Sequence, residues 1–274
     1  MKLAVAVLVV VTTTTVAVAA MLLVRRRAPD GSYFHDGDRA AGVFGVLATG
    51  FAVLLGFVVF LAFASYDATR SGAEDEALVV GQQVETVQFF PEPVVDDLTG
   101  QLVCYARSVA GVQWDRMESG TLGEQVNPWA AEMFRTLRTV QPETATEQSA
   151  YDRFLDQTAA REAARNDRIH GAVGVIPSPL WVVLFFSAGL IFVYMLFFAD
   201  SGERAFVQAL LMGVVVAVIS AMLLLLDFLD HPVHEGIGGL RPVAMERTLE
   251  IIDQELAIVS LDTAPPCDTR GNPS

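Results

Sequence analysis

Four long apolar runs interrupt an otherwise polar chain: Leu3–Val24, Gly42–Phe63, Leu180–Phe198 and Ala205–Leu226, none with a charged residue. About 20 apolar residues in a helix cross the ~30 Å hydrocarbon layer of a bilayer, so each run predicts a transmembrane helix. They pair into two hairpins, residues 1–65 and 179–226, with residues 66–178 between them. That middle segment is patterned for helices. Val95, Leu98, Leu102, Tyr105, Val109 and Val112 recur at three- and four-residue steps and predict an amphipathic helix with one covered face. Pro91 and Pro93 break the chain ahead of it, Gly111 and Gly120 loosen its end, and Asn127-Pro128 opens the next helix through Met133, Phe134 and Leu137. A third helix runs from about Glu143 through Tyr151, Phe154 and Leu155 to Ile169, and brings Arg161, Arg165 and Arg168 toward the membrane.

After the fourth span, residues 227–262 read as a turn-rich juxtamembrane link followed by an amphipathic helix on Met245, Leu249, Ile252, Leu256 and Val259. Residues 263–274, polar and carrying two adjacent prolines, are expected to be disordered. No strand-type alternation exceeds a few residues. The expected fold class is all-α: an integral membrane protein with four transmembrane helices and a helical extramembrane region.

Charge gives this arrangement an orientation. The loop at residues 25–39 holds four arginines, among them Arg25, Arg26 and Arg27, and the other short loop carries Arg204. By the positive-inside rule both short loops are cytoplasmic, which places the N-terminus, the 66–178 region and the C-terminus outside the cytoplasm. The arginine triplet also opposes reading the first run as a cleaved signal peptide, although Ala17 and Ala19 have a suitable spacing. Residues 66–178 hold 18 acidic against 9 basic side chains, and residues 227–274 hold 9 against 3. Net charge −14 makes nucleic acid a poor partner, since its phosphates need an extended basic surface. The use of 17 arginines and one lysine suggests a GC-rich bacterial genome, and with it the bacterial inner membrane. Cys104 and Cys267 have no metal-ligand spacing, one in an apolar helix pattern and one in the Pro-rich tail, and that contrast weighs against a disulfide between them.

Candidate chemistry is sparse. On the second span Gly45, Thr49, Ala52 and Gly56 recur at four, three and four residues and make one face of small side chains, with Gly42 extending the row. Such a face either lets helices pack closely within a subunit or lines a pore and joins subunits. Beyond the span, Glu74, Asp75 and Glu76 form an acidic cluster that is either a solvated helix face or a ring at a pore mouth. Asp230, His231, His234 and Glu235 resemble a cation cluster, but Pro232 spoils their helical spacing, and no metal site is expected. Trp114, Trp129 and Trp181 read as core or interface anchors. Ion-coupled transporters usually need an ionisable group inside a span, and these spans have none, whereas a channel needs none. No catalytic triad order, phosphate loop or paired-cysteine motif is present, so neither an enzyme nor a cofactor is expected.

Several landmarks fall in a familiar order: Tyr66-Asp67-Ala68 after a Gly-rich second span, Glu76-Ala77-Leu78, Pro91, Tyr105 and Trp114. Arg165 and Arg168 then precede Pro179-Leu180-Trp181, and Leu229-Asp230-His231-Pro232 with Gly236 follows the last span. Over roughly residues 35–255 the chain resembles the bacterial bestrophin-like family of four-span membrane proteins, mostly of unassigned function. It departs from that pattern at Gln113, where an acidic residue is common, and at Val233, where phenylalanine is common. The resemblance implies kinship with pentameric anion channels whose helical part lies in the cytoplasm, the opposite side from the one the arginines indicate. The expected function is therefore an oligomeric ion channel in the lipid bilayer. The alternative is a membrane-anchored sensor or scaffold whose helical region binds an envelope protein partner.

Overall fold

The computed structural model describes residues 3–92, 94–120, 127–234, 236, 238–259 and 265–273. Pro93, Glu235 and the stretch 260–264 of the expected link and tail lie outside the described residues. Among the described residues nine α-helices follow in order: α1 (Leu3–Arg25), α2 (Gly37–Val87), α3 (Val94–Ser108), α4 (Trp114–Glu118), α5 (Pro128–Leu137), α6 (Ala145–Ala172), α7 (Ser178–Leu196), α8 (Ala205–Asp230) and α9 (Val243–Val259). A π-helical turn, Val109–Gln113, joins α3 to α4. Among the described residues the only β pairing is an isolated bridge between Cys267 and Pro273. The fold class is all-α, and α1, α2, α7 and α8 are each long and apolar enough to cross a membrane.

The chain divides into two compact units. The first, residues 1–65, 174–231 and 235–238, holds the apolar helices. Helix α1 packs against α8 near Gly213, where a Cβ would be in ordinary contact with Val18 at 3.4 Å and Thr14 at 3.6 Å. Nearby, the Thr13 and Ser220 hydroxyls are 3.1 Å apart, and Ala17, Met21, Ala199 and Met212 form a small core. The short loops are tied by side chains. Arg25 donates to the Ser201 carbonyl at 3.0 Å, and Asp200 accepts from the Gly31 and Gly202 backbone at 3.0 and 2.7 Å. Those two amides hold the Asp200 carboxyl below the usual carboxylate range. At the far end of α8 the Asp230 carboxylate accepts from the Val175 and Ile176 amides at 2.7 and 3.0 Å, so it orders the entry to α7.

The second unit, residues 66–173, 232–234 and 239–274, is a helical bundle around an apolar core. Helix α2 supplies Ala77, Val80, Val84 and Val87, at three- and four-residue steps. Most of the expected stripe on α3 is buried: Val95, Leu98, Leu102, Tyr105 and Val109. Helix α5 starts where Asn127 caps it, its side chain accepting from Trp129 N at 3.0 Å with Pro128 in the first turn. Helix α6 opens with a full capping box, in which Thr144 accepts from Glu147 N at 3.2 Å and Glu147 reaches back to Thr144 N.

Two expectations are corrected in this unit. Cys104 and Cys267 are bonded as a disulfide, 163 residues apart in sequence, although their contrasting contexts argued against it. The tail expected to be disordered is held from Pro265 to Pro273 against α3 and its neighbours. Trp129 Nε1 donates to the Gly271 carbonyl at 2.7 Å, Arg270 pairs with Asp115, and a Cβ on Gly100 would meet Pro266 at 3.1 Å. Composition predicted solvation of this segment. One covalent anchor, two polar contacts and the close seat of Pro266 on Gly100 supply what its few apolar residues cannot.

Candidate functional site

Within the membrane unit, the small-residue face of α2 is left open among the described residues. Gly45, Thr49, Ala52 and Gly56 are all exposed, and a Cβ built on Gly42, Gly45, Gly50 or Gly56 has no neighbour within 4 Å. A different face of the same span is covered, with Phe51, Leu55, Val58 and Ala62 buried at four-, three- and four-residue steps. Near its start α2 is fixed by aromatic contacts: Phe44 stacks on Tyr194 at 5.7 Å, and the Tyr194 hydroxyl donates to the Ala40 carbonyl at 3.1 Å. One face of this span is therefore anchored and another is left open.

The acidic cluster beyond the span does not act as a group. Glu74 is exposed and pairs with Arg70 at 3.0 Å, Asp75 is exposed, and Glu76 is fully buried. Three successive positions on a helix point about 100° apart, so adjacency in sequence separates them in space. Glu76 instead forms a buried ion pair with Arg168, at 2.5 Å from Nε and 3.2 Å from an amino nitrogen, and accepts from the Tyr105 hydroxyl at 2.6 Å. Arg168 also donates to Gln113 at 3.3 Å. Arg161, 1% exposed, lies over the Tyr105 ring at 4.6 Å and donates to Gln83 at 2.8 Å, while Gln83 donates to Thr158 at 3.0 Å. Burial pushes the Tyr105 phenol well above its ordinary value, the Glu76 charge adds to this, and Arg161 opposes it. The phenol therefore stays protonated and donates.

Arg161 and Arg168 are thus core groups and do not face the membrane as expected. A signal for both was available. Ala150, Phe154, Gln157, Arg161, Ala164, Arg168 and Gly171 recur at three- and four-residue steps and are all buried, so the arginines continue the apolar stripe of α6. Likewise Glu76 precedes Val80, Gln83 and Val87 on the buried face of α2. The π-turn Val109–Gln113 could not be read from periodicity. It inserts one residue per turn, and Gln113 at its end, where an acidic residue is common in the resembled family, meets Arg168.

No metal cluster exists among the described residues. Asp230 spends its carboxylate on backbone amides, and with Trp181 Nε1 at 3.4 Å it is a capping group. His231 lies beside Asp227 at 3.7 Å on the exposed end of α8.

These elements match the family model described as Bestrophin-like domain over residues 10–236, most of the chain. The chain belongs to the bestrophin-like family. No curated protein matches it. Its fold is similar to crystal structures of single-site variants of a bacterial bestrophin homologue from Klebsiella pneumoniae. One is 12% identical with a TM-score of 0.68, covering 90% of this chain and 98% of that one. Another is 13% identical with a TM-score of 0.60 over the same shares, and a third is 12% identical at 0.62 over 95% and 99%. In this bestrophin-like chain the motif positions have structural settings. Pro91 accepts from Val94 N at 3.0 Å ahead of α3, and Tyr105 joins the buried ion network. Trp114 packs with Met117 and Val233, where phenylalanine is common in the resembled family. His231 ends α8, Pro232 accepts from Leu240 N at 2.9 Å, and Gly236 adopts φ 146°, which favours glycine.

Proposed function

We propose that this protein is a homo-oligomeric ion channel of the bacterial inner membrane, assembled around the open face of α2. The observation that carries the reading is that Gly45, Thr49, Ala52 and Gly56 are exposed on a span that is anchored along a different face. Bundled copies presenting such a face can approach closely and leave a narrow path, with Thr49 as its hydroxyl group. Family membership supports the same reading. The spans carry no ionisable side chain, which suits passive conduction better than ion-coupled transport.

We further propose that the helical unit and both termini lie outside the cytoplasm. Two independent features support this: the arginines of the short loops, and the Cys104–Cys267 disulfide, since disulfides persist in oxidising compartments and are rare in the cytosol. The orientation is the reverse of the one implied by kinship with bestrophins. With cysteines placed singly, Asp156→Cys should react with an impermeant maleimide in spheroplasts and His35→Cys should not. The opposite pattern would invert the orientation.

Gly56→Leu tests the channel. A Cβ at Gly56 meets no atom of its own chain, so the variant should insert and melt as wild type does. Its oligomer should shift to smaller species on native mass measurement, or its conductance in planar bilayers should fall, with Thr49→Val milder. Unaltered assembly and current in Gly56→Leu would remove α2 from the pathway. Absence of current from the wild type over a range of ions, voltages and pH, with an envelope protein co-purifying, would favour the scaffold.

A further inference from the structure

On the helical unit, a cleft of about 380 Å³ gathers arginines in a chain whose net charge is −14. Arg70, Arg241 and Arg247 line it against one carboxylate, that of Glu74. Only three basic residues exist between 227 and 274, and two of them meet here, while the third, Arg270, is committed to Asp115. Arg70 is bound to Glu74 through Nε alone. Neither the Arg241 nor the Arg247 guanidinium makes a hydrogen bond, ion pair or ring contact among the described residues, and both residues are exposed. With Glu74 engaged by Arg70, Arg241 and Arg247 bring two further like charges to the cleft, and an anion there would relieve their repulsion.

The remaining wall is apolar. Trp114 is 6% exposed and packs with Ala73 and Leu240, which also line the cleft. Helix α9 begins at Val243, on the wall, so the positive end of its backbone dipole adds to the field of the arginines. A charged rim over an aromatic floor fits an anionic group carried on an apolar body. Guanidinium forks match the oxygens of a phosphate in particular.

We propose that this cleft binds a phosphate group, that of an acidic phospholipid, held by Arg241 and Arg247 with the adjoining glycerol and first acyl carbons on Trp114 and Leu240. The site goes beyond the channel reading and is independent of it, because binding is read without current.

The test titrates the purified full-length protein in neutral detergent with dihexanoyl phosphatidylglycerol, dihexanoyl phosphatidylcholine or inorganic phosphate, and follows tryptophan fluorescence. Phosphatidylglycerol should give a saturable change that weakens as salt rises, and phosphatidylcholine should give none. In R241Q/R247Q the affinity should fall at least about tenfold, with each single variant intermediate. R135Q/R138Q, which removes the same charge from exposed positions elsewhere, should bind as wild type does. An unchanged urea midpoint in R241Q/R247Q would attribute its loss to the site. Saturation by inorganic phosphate with the same variant pattern would support the phosphate site and make a free anion its source. Lack of saturation by either phosphate ligand, or equal weakening in R135Q/R138Q, would overturn the proposal.

Discussion

Replacing Glu76 with glutamine removes one negative charge from a place where neither Glu76 nor Arg168 is exposed at all. The glutamine keeps the shape and one acceptor oxygen, so the Tyr105 hydroxyl keeps a partner. Arg168 is left as a buried cation with only neutral acceptors, Gln113 at 3.3 Å and the new amide. Breaking a buried pair from one side costs roughly 3–5 kcal/mol, and the retained hydrogen bonds place this variant near 3. With a urea dependence of about 1–3 kcal/mol per molar, the midpoint should fall by about 1–3 M. The full chain would be unfolded by urea in lipid vesicles, where the spans stay inserted, with the extramembrane unit followed by tryptophan fluorescence and a short protease pulse. Glu76→Gln/Arg168→Met should recover part of the loss, because it removes both charges and leaves neither alone. A midpoint for Glu76→Gln within about 0.3 M of wild type would refute the reasoning. So would a double variant whose loss equals the sum of the two single losses.

Two further outcomes concern the tail. Denatured wild-type protein should take up no thiol reagent until a reductant is added and then two per chain, and Cys267→Ser should lose about 2–5 kcal/mol from the urea midpoint of the helical unit. Free thiols in unreduced protein would contradict the disulfide and the orientation that leans on it. The Asp268 carboxyl accepts from the Asn272 side chain at 2.9 Å, then from the Asn272 and Arg270 amides, each at 2.8 Å, and is held below the usual carboxylate range. Its folded value lies below its unfolded one, so the stability it adds is present above about pH 4 and is lost as pH falls through the folded value. Fluorescence from Trp129, which donates to Gly271, should report tail release in that acid range by difference from Trp129→Phe. A signal that stays flat until the whole unit unfolds would deny the carboxylate this role.

Local pattern by itself determined a good deal. Apolar runs long enough to cross a bilayer defined four spans, because span length is set by bilayer thickness and not by tertiary contacts. Asn127-Pro128 placed the start of α5, since capping is a matter of adjacent residues, and the order of landmarks around the spans indicated the family. Tertiary structure alone decided the rest. Glu74, Asp75 and Glu76 look alike in sequence, and burial against Arg168, 92 residues away, separates the third from the other two. Arg161 and Arg168 read as charges approaching the membrane until Glu76, Gln83 and Tyr105 converge on them from other helices. The tail has the composition of a disordered segment, and one bond to Cys104 overrides composition because it removes chain entropy that no local pattern records. The stripe on α2 was visible as a face, but which side of a helix its own chain covers is a property of the packed subunit. Periodicity reports that faces differ, and long-range contacts determine what each one meets.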